Sequence, residues 1–149
     1  MEVKDALKRF RDEFGLTQTQ AAQFAGVSVV MYQFYEYGRH EPKVSALAAL
    51  AEHFGVSMDY LTGADRQPGE KSMTGARMKL SDALRRFRKG FDLTQRDAAS
   101  AAGVTESVYQ KYEYGTVVPR VSILIRLSET FNVSLDYLAG LSTDPARRP

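Results

Sequence analysis

The sequence predicts an all-α protein built as two tandem copies of one small five-helix domain. Three observations carry that expectation. Sliding the chain against itself by 77 residues aligns positions 5–63 with 82–140 without a gap, and 34 of the 59 aligned positions are identical. Apolar residues recur at helical spacing along each copy. Glycines and prolines stand at matching points, where helices must end or begin. At about 60 residues each, the copies are near the lower size limit for a domain that folds alone, and two are too few for a solenoid. The expected division is a first domain over 1–63, a linker over 64–78, a second domain over 79–141 and a flexible tail over 142–149.

With 44% hydrophobic and 26% charged residues among 149, the composition is that of an ordinary globular protein. The absence of cysteine excludes disulfides and thiolate metal sites and fits a reducing compartment. The opening MEVKDALKRF carries charges where a secretory signal needs an apolar run. No window reaches the roughly 18 apolar residues of a membrane span. A soluble, cytoplasmic protein without a membrane partner is therefore expected. The net charge is +2, but it is unevenly spread. Residues 1–66 hold 7 Lys and Arg against 9 Asp and Glu, whereas residues 67–149 hold 13 against 9. Any attraction to phosphate is concentrated in the second half.

Each copy opens with an amphipathic helix. Val3, Leu7, Phe10 and Phe14 fall at helical spacing, as do Leu80, Leu84, Phe87 and Phe91, with Ser81 the expected N-cap of the second. A second, short helix follows from Thr17 and Thr94, each three residues before a Gln20 or Asp97 that completes a capping box. It ends at Gly26 and Gly103, residues that take a left-handed conformation without a Cβ penalty. Ser28 and Thr105 cap a third helix that runs to about Tyr37 and Tyr114, stopped by Gly38 and Gly115. Pro42 and Pro119 precede a fourth, whose buried face is Val44, Leu47, Leu50 and Phe54, or Val121, Leu124, Leu127 and Phe131. Ser57 and Ser134 cap a fifth, short helix whose Tyr60, Leu61, Tyr137 and Leu138 close the core. The segment 64–78, with Pro68, Gly69 and Gly75 among charged and small residues, has no apolar period. Its 15 residues would reach roughly 50 Å stretched and average about 20 Å as a coil.

Only Gly26-Val27-Ser28, or Gly103-Val104-Thr105, separates the second and third helices, and Ala22 and Ala99 leave room for them to cross closely. That is a helix-turn-helix pattern. With LTQ at Leu16 and Leu93, the GVS or GVT turn, YEYG at Tyr35 and Tyr112, a following proline, and VSMDYLTG or VSLDYLAG at the end, each copy resembles the Xre family of lambda-repressor-like domains. The resemblance covers about 120 residues, since both copies of the motif set agree in order and spacing. It implies two five-helix DNA-binding domains whose third helix reads bases in the major groove of double-stranded DNA. It also implies structural ion pairs between helix 1 and the end of helix 3, Arg11 with Glu36 and Arg88 with Glu113. By the same geometry Gln18 and Gln95, at the start of helix 2, face a phosphate, although they can equally be simple capping residues.

On the third helix of the second copy, Glu106, Ser107, Gln110 and Lys111 are not needed by a core that takes Val108, Tyr109 and Tyr112. Gln110 suits adenine, Lys111 guanine or phosphate, Glu106 the cytosine amino group, and Ser107 several base edges. The alternative is an ordinary solvated helix face. The first copy offers Val29, Val30, Gln33 and Phe34 at the same places, where only Gln33 can make a bidentate contact. An exposed patch of Val29, Val30, Met31 and Phe34 fits a homodimer or protein partner as well as it fits thymine methyls. Arg96, and Arg39, Lys43 and Arg120 in the loops after the third helices, are candidate phosphate contacts.

The basic run Arg85, Arg86, Arg88 and Lys89 reads as a solvated face apart from Arg88. His40 and His53 lack ligand-spaced partners, and the eight tyrosines repeat with the fold, which favours packing. No cofactor site, catalytic residue or metal site is expected, because no acid–base pair, nucleophile constellation or phosphate loop stands out. The expected function is sequence-specific DNA binding by a transcriptional regulator, more often a repressor, with the second copy dominant. The rival leaves DNA to the second copy and makes the first a protein-interaction or dimerisation module, as in an antitoxin-type regulator.

Overall fold

Side-chain caps set where most helices begin, at the same places in both halves of the chain. The computed structural model describes residues 1–65 and 78–146. The first half holds α1 (Val3–Glu13), α2 (Gln18–Ala25), α3 (Val29–Tyr37), α4 (Val44–Phe54) and α5 (Met58–Thr62). The second holds α6 (Leu80–Gly90), α7 (Gln95–Ala102), α8 (Glu106–Tyr114), α9 (Val121–Phe131) and α10 (Leu135–Ala139). Among the described residues there is no strand, only an isolated antiparallel bridge between Val133 and Ala146. The chain divides into two compact units, Met1–Ser72 and Met73–Pro149. Most of the segment expected to be the linker, 66–77, lies outside the described residues, as do 147–149.

The capping boxes form as their residues dictate. Thr17 Oγ1 accepts from the Gln20 N–H at 3.1 Å and Gln20 Oε1 accepts from the Thr17 N–H at 2.9 Å. Thr94 and Asp97 make the same exchange at 3.0 and 3.1 Å. Ser28 and Thr105 cap the third helices by accepting from Met31 and Val108. Between these helices Gly26 and Gly103 take φ of 74° and 78°, a region in which a side chain costs about 1–2 kcal/mol. The expected cap at Ser81 is not formed. Lys79 holds the N-cap position of α6 without a side-chain bond. Its carbonyl already accepts from Ala83 at 2.9 Å, so Leu80 and Ser81 are drawn into the first turn.

In each unit the first helix packs on the third and fifth, and the second packs on the third and fourth. Leu7, Phe10, Tyr32, Leu47, Leu50, Met58 and Tyr60 are sealed in the first unit, and Leu84, Phe87, Tyr109, Leu124 and Leu138 in the second. Each such aliphatic or phenylalanine side chain contributes about 1.5–3 kcal/mol of transfer free energy. Ala22 and Ala99 are buried where the short helices cross, as the pattern predicts. Two tyrosine pairs depart from expectation. Tyr37 and Tyr114 are 56% and 66% exposed; each follows the buried Glu36 or Glu113 by one residue, and a 100° step along a helix turns it outward. Tyr137 is half-buried where its counterpart Tyr60 is sealed.

Within the basic run on α6, Lys89 is solvated as expected but Arg85 and Arg86 are not simply so. Arg86 Nη2 donates to the carbonyls of Tyr137 at 2.6 Å and Ser142 at 3.0 Å, and its guanidinium lies 3.9 Å from the centre of the Tyr137 ring. Arg9 does the same with Tyr60 and Asp65 at 2.6 and 3.2 Å, over the Tyr60 ring. Each arginine thus adds a charged donor and a ring contact to carbonyls at and just beyond the end of the last helix, of which those of Tyr60 and Tyr137 also accept from the Gly63 and Gly140 N–H groups. Arg85 binds Asp82 at 3.0 Å and donates to the Glu113 carbonyl.

The frayed end expected after Gly140 is also revised over residues 141–146. Leu141 and Ser142 are buried, and the Ser134 N–H donates to the Pro145 carbonyl at 2.9 Å. The Met78 N–H donates to the Gly140 carbonyl at 3.1 Å, and a Cβ on Gly140 would collide with the Met78 backbone. Among the described residues, no helix is long and apolar enough to cross a membrane.

The arginine clamp is open to a direct measurement. Arg86→Ala is expected to lower stability by about 1.5–3 kcal/mol, since it removes a charged donor that the Tyr137 and Ser142 carbonyls share. Lys89→Ala, on an exposed part of the same helix, should change stability by less than about 0.5 kcal/mol. Urea unfolding followed by far-UV circular dichroism compares the two variants; equal small effects would dismiss the clamp.

Candidate nucleic-acid interface

The two third helices share a buried side and differ in front. On α8, Tyr109, Tyr112 and Glu113 are buried, Val108 and Gln110 are half-buried, and Glu106, Ser107 and Lys111 are exposed. On α3, Tyr32, Tyr35 and Glu36 are buried, while Val30 is 53% and Met31 36% exposed. Val29 and Phe34 are half-buried there, and the Phe34 ring lies 5.2 Å from that of His40. Phe34 is thus partly covered by its own loop and is fractionally less exposed than Val30 and Met31.

Behind each front runs one chain of hydrogen bonds. In the second unit Arg88 donates from Nε to Glu113 Oε2 at 2.7 Å and from Nη2 to Oε1 at 3.1 Å, and from Nη1 to the Leu93 carbonyl at 3.2 Å. Gln95 Nε2 donates to Glu113 Oε1 at 3.3 Å, and Gln110 Nε2 to Gln95 Oε1 at 3.2 Å. In the first unit Arg11, Leu16, Glu36, Gln18 and Gln33 repeat the arrangement with distances of 2.8 to 3.2 Å. The arginine–glutamate pairs expected from the resemblance are therefore formed, with the carboxylates 1% exposed. The glutamines expected to touch phosphate and base touch each other. One amide N–H of each is engaged, and its second N–H remains for an outside acceptor. The sequence reading did not connect them; the signal was that all four glutamines fall at matched positions of the two copies.

Electrostatics follow from this burial. Desolvation alone would raise the Glu36 and Glu113 carboxyls, but the bonds from Arg11 and Gln18, or from Arg88 and Gln95, outweigh it and hold them below the ordinary glutamate range. Desolvation, with the neighbouring carboxylate, pushes the Tyr32 and Tyr109 phenols far up. Tyr60, buried and bonded to Glu13, is pushed up to about 12.

The remaining candidate contacts lie at the edges. Arg39, Lys43 and Arg120 are exposed in the loops that follow α3 and α8, with Lys43 and Arg120 at the N-caps of α4 and α9. Arg96 and Glu106, expected to meet phosphate and base, face each other at 3.7 Å. His53 stacks on Phe24 with ring centres 4.0 Å apart.

A carboxyl lowered by folding contributes stability above its unfolded pKa, near 4.3, and loses it as pH falls through the folded value. The urea midpoint is therefore expected to drop steeply below about pH 4.5, and the joint variant Glu36→Gln with Glu113→Gln should flatten that drop. Arg88→Ala, which leaves Glu113 buried without its partner, should cost about 3–5 kcal/mol at neutral pH. Unfolding titrations across acid pH check both; an unchanged acid slope in the glutamine variant would refute the assignment.

Comparison with known proteins sets this surface among relatives. The helix-turn-helix family profile matches residues 7–61 and again 84–138. A Bacillus subtilis protein named as an uncharacterized HTH-type transcriptional regulator, YobD, is 37% identical over 62 residues, which is 42% of this chain and 55% of that protein. The cryptic phage CTXphi transcriptional repressor RstR of Vibrio cholerae is 32% identical over 63 residues, or 42% of this chain and 56% of its own. The chain thus spans about half the length of the curated relatives it matches, and each match is about one copy long. A crystal structure of a transcriptional regulator from Listeria innocua aligns with 87% of this chain and 94% of its own at 20% identity, with a TM-score of 0.39. Two matched segments, each spanning the capped second helix, the glycine turn and the third helix, mean that the chain belongs to the helix-turn-helix family, in its Xre-like form, and carries the domain twice.

Proposed function

We propose that the protein is a cytoplasmic, sequence-specific double-stranded DNA-binding regulator of transcription, acting as a repressor, with α8 as its main reading helix. The observation that carries this reading is the front of α8, where exposed Glu106, Ser107 and Lys111 flank Gln110 on a helix held from behind by Glu113. These side chains match the donor and acceptor groups of the major groove. The second N–H of Gln95, at the N-terminus of α7, suits a phosphate, as that helix end favours an anion. Exposed Arg120 extends the same contact, and the surplus of basic residues in the second half supports it. The repressor named among the relatives supports the direction of regulation.

A second reading has its own observation. Val30 and Met31 are exposed on α3 where α8 carries Ser107 and Val108. Such a front is poor in groups that distinguish bases and suits a protein contact. On this reading the first domain docks a second copy or another protein, and Arg39 and Lys43 add only backbone attraction.

Selection of bound sequences from random DNA by the full chain tests the proposal. Lys111→Ala with Ser107→Ala is expected to weaken binding to the selected DNA by about tenfold or more. If Lys111 holds a phosphate, the salt slope falls by about one. Val30→Ala with Met31→Ala should change DNA affinity by less than about threefold. Loss of self-association in that variant favours the docking reading; failure of selection, or indifference to the α8 changes, refutes DNA reading by α8.

A further inference from the structure

Arg96 and Glu106 distinguish the front of the second domain from the first, where Thr19 and Val29 hold the equivalent positions. Arg96 is the second residue of α7, and a cation in the first turn of a helix opposes the macrodipole. Two acids offset that placement. Asp97 is held below the usual carboxylate range by the Thr94 backbone and side chain and by Arg96. Glu106, the first residue of α8, places Oε2 3.7 Å from Arg96 Nε. The two side chains are 84% and 44% exposed, so the pair adds little to folding. Its location is what matters, because it links the start of the helix that would face phosphate to the start of the helix that would face bases.

A glutamate carried towards DNA is repelled by every nearby phosphate, and among the bases the cytosine amino group is the donor suited to it. A neighbouring cation offsets the repulsion and narrows the directions the carboxylate can point. We propose that Arg96 is a positioning residue that holds Glu106 to read cytosine. The inference rests on DNA reading by α8. Arg96 takes one side of the carboxylate, and the remaining lone pairs accept from cytosine N4. Without Arg96 the carboxylate stays charged but is neither balanced nor aimed, and base preference falls together with affinity. The first domain, with Thr19 and Val29, has no such device.

The test uses the full chain and single-base variants of its selected DNA. The unaltered protein is expected to prefer cytosine at one position by about fivefold or more. Glu106→Gln should abolish that preference, Arg96→Ala should reduce it by a similar factor, and Arg96→Lys should retain most of it. The double variant should lose no more preference than Glu106→Gln alone. Equal weakening of all four bases by Arg96→Ala, or losses that simply add in the double variant, would overturn the inference. Gln110→Ala and Lys111→Ala separate the two levels. If both leave DNA binding unchanged, reading by α8 itself fails; if they weaken it while Arg96→Ala is indifferent to the base, only the role of Arg96 fails.

Discussion

A buried carboxylate, Glu113 in one domain and Glu36 in the other, is the constraint on which the front of each domain depends. An isolated charge at that depth would be intolerable, so the chain must bring donors to it from several elements at once. Arg88 comes from the first helix of its domain and Gln95 from the second. The arginine also reaches the Leu93 carbonyl, just ahead of the second helix. Such a pair is weak evidence for net stability. What it supplies is a single arrangement: α8 cannot rotate or slide without stranding the carboxylate, and the glutamine on its front is tied into the same chain of bonds.

That shared frame explains how two copies can differ in front and still fold alike. The residues that face Glu36 and Glu113 are the same types in both copies, as are the capping threonines and the glycines of the turn. Apart from Gln33 and Gln110, the outward positions carry no part of that frame. Glu106 and Ser107 stand where the first copy has Val29 and Val30, and Lys111 where it has Phe34. The change in chemistry leaves the helix ends, the turn angles and the buried pair in place. Outward chemistry and architecture therefore divide between two sides of one nine-residue helix, with Gln110 the residue that belongs to both.

The parts legible in the sequence were those governed by short spacing. Caps, glycine stops and the apolar stripes involve residues three or four apart, and they placed the ten helices found among the described residues. The arginine–glutamate pairs were legible only through family resemblance, since 25 residues separate the partners. What stayed hidden were contacts without any local period. Arg86 reaches 51 residues ahead to Tyr137, and nothing nearby in sequence separates it from Arg85 or Lys89. Arg96 and Glu106 read as two independent DNA contacts because a turn lies between them. Ser81 failed as a cap for a different reason, namely that Lys79 can start the helix through its backbone alone.

The meeting of Met78 with Gly140 has a consequence for how such a protein arises. The segment entering the second domain is bonded to the cap of its last helix, and in the first domain the backbone of Met1 lies close against Gly63. Entry and exit sit at one pole of each domain, so the domain is a closed cassette. A gene segment encoding it can be copied head to tail because its ends already lie together, with Leu141 and Ser142 extending the core of the second domain past Gly140. Once doubled, one cassette is released from whatever its front was selected to do. Divergence at the outward positions of α3 and α8, beside size-conserving exchanges in the core such as Met58 against Leu135, then gives a protein with two chemically distinct faces.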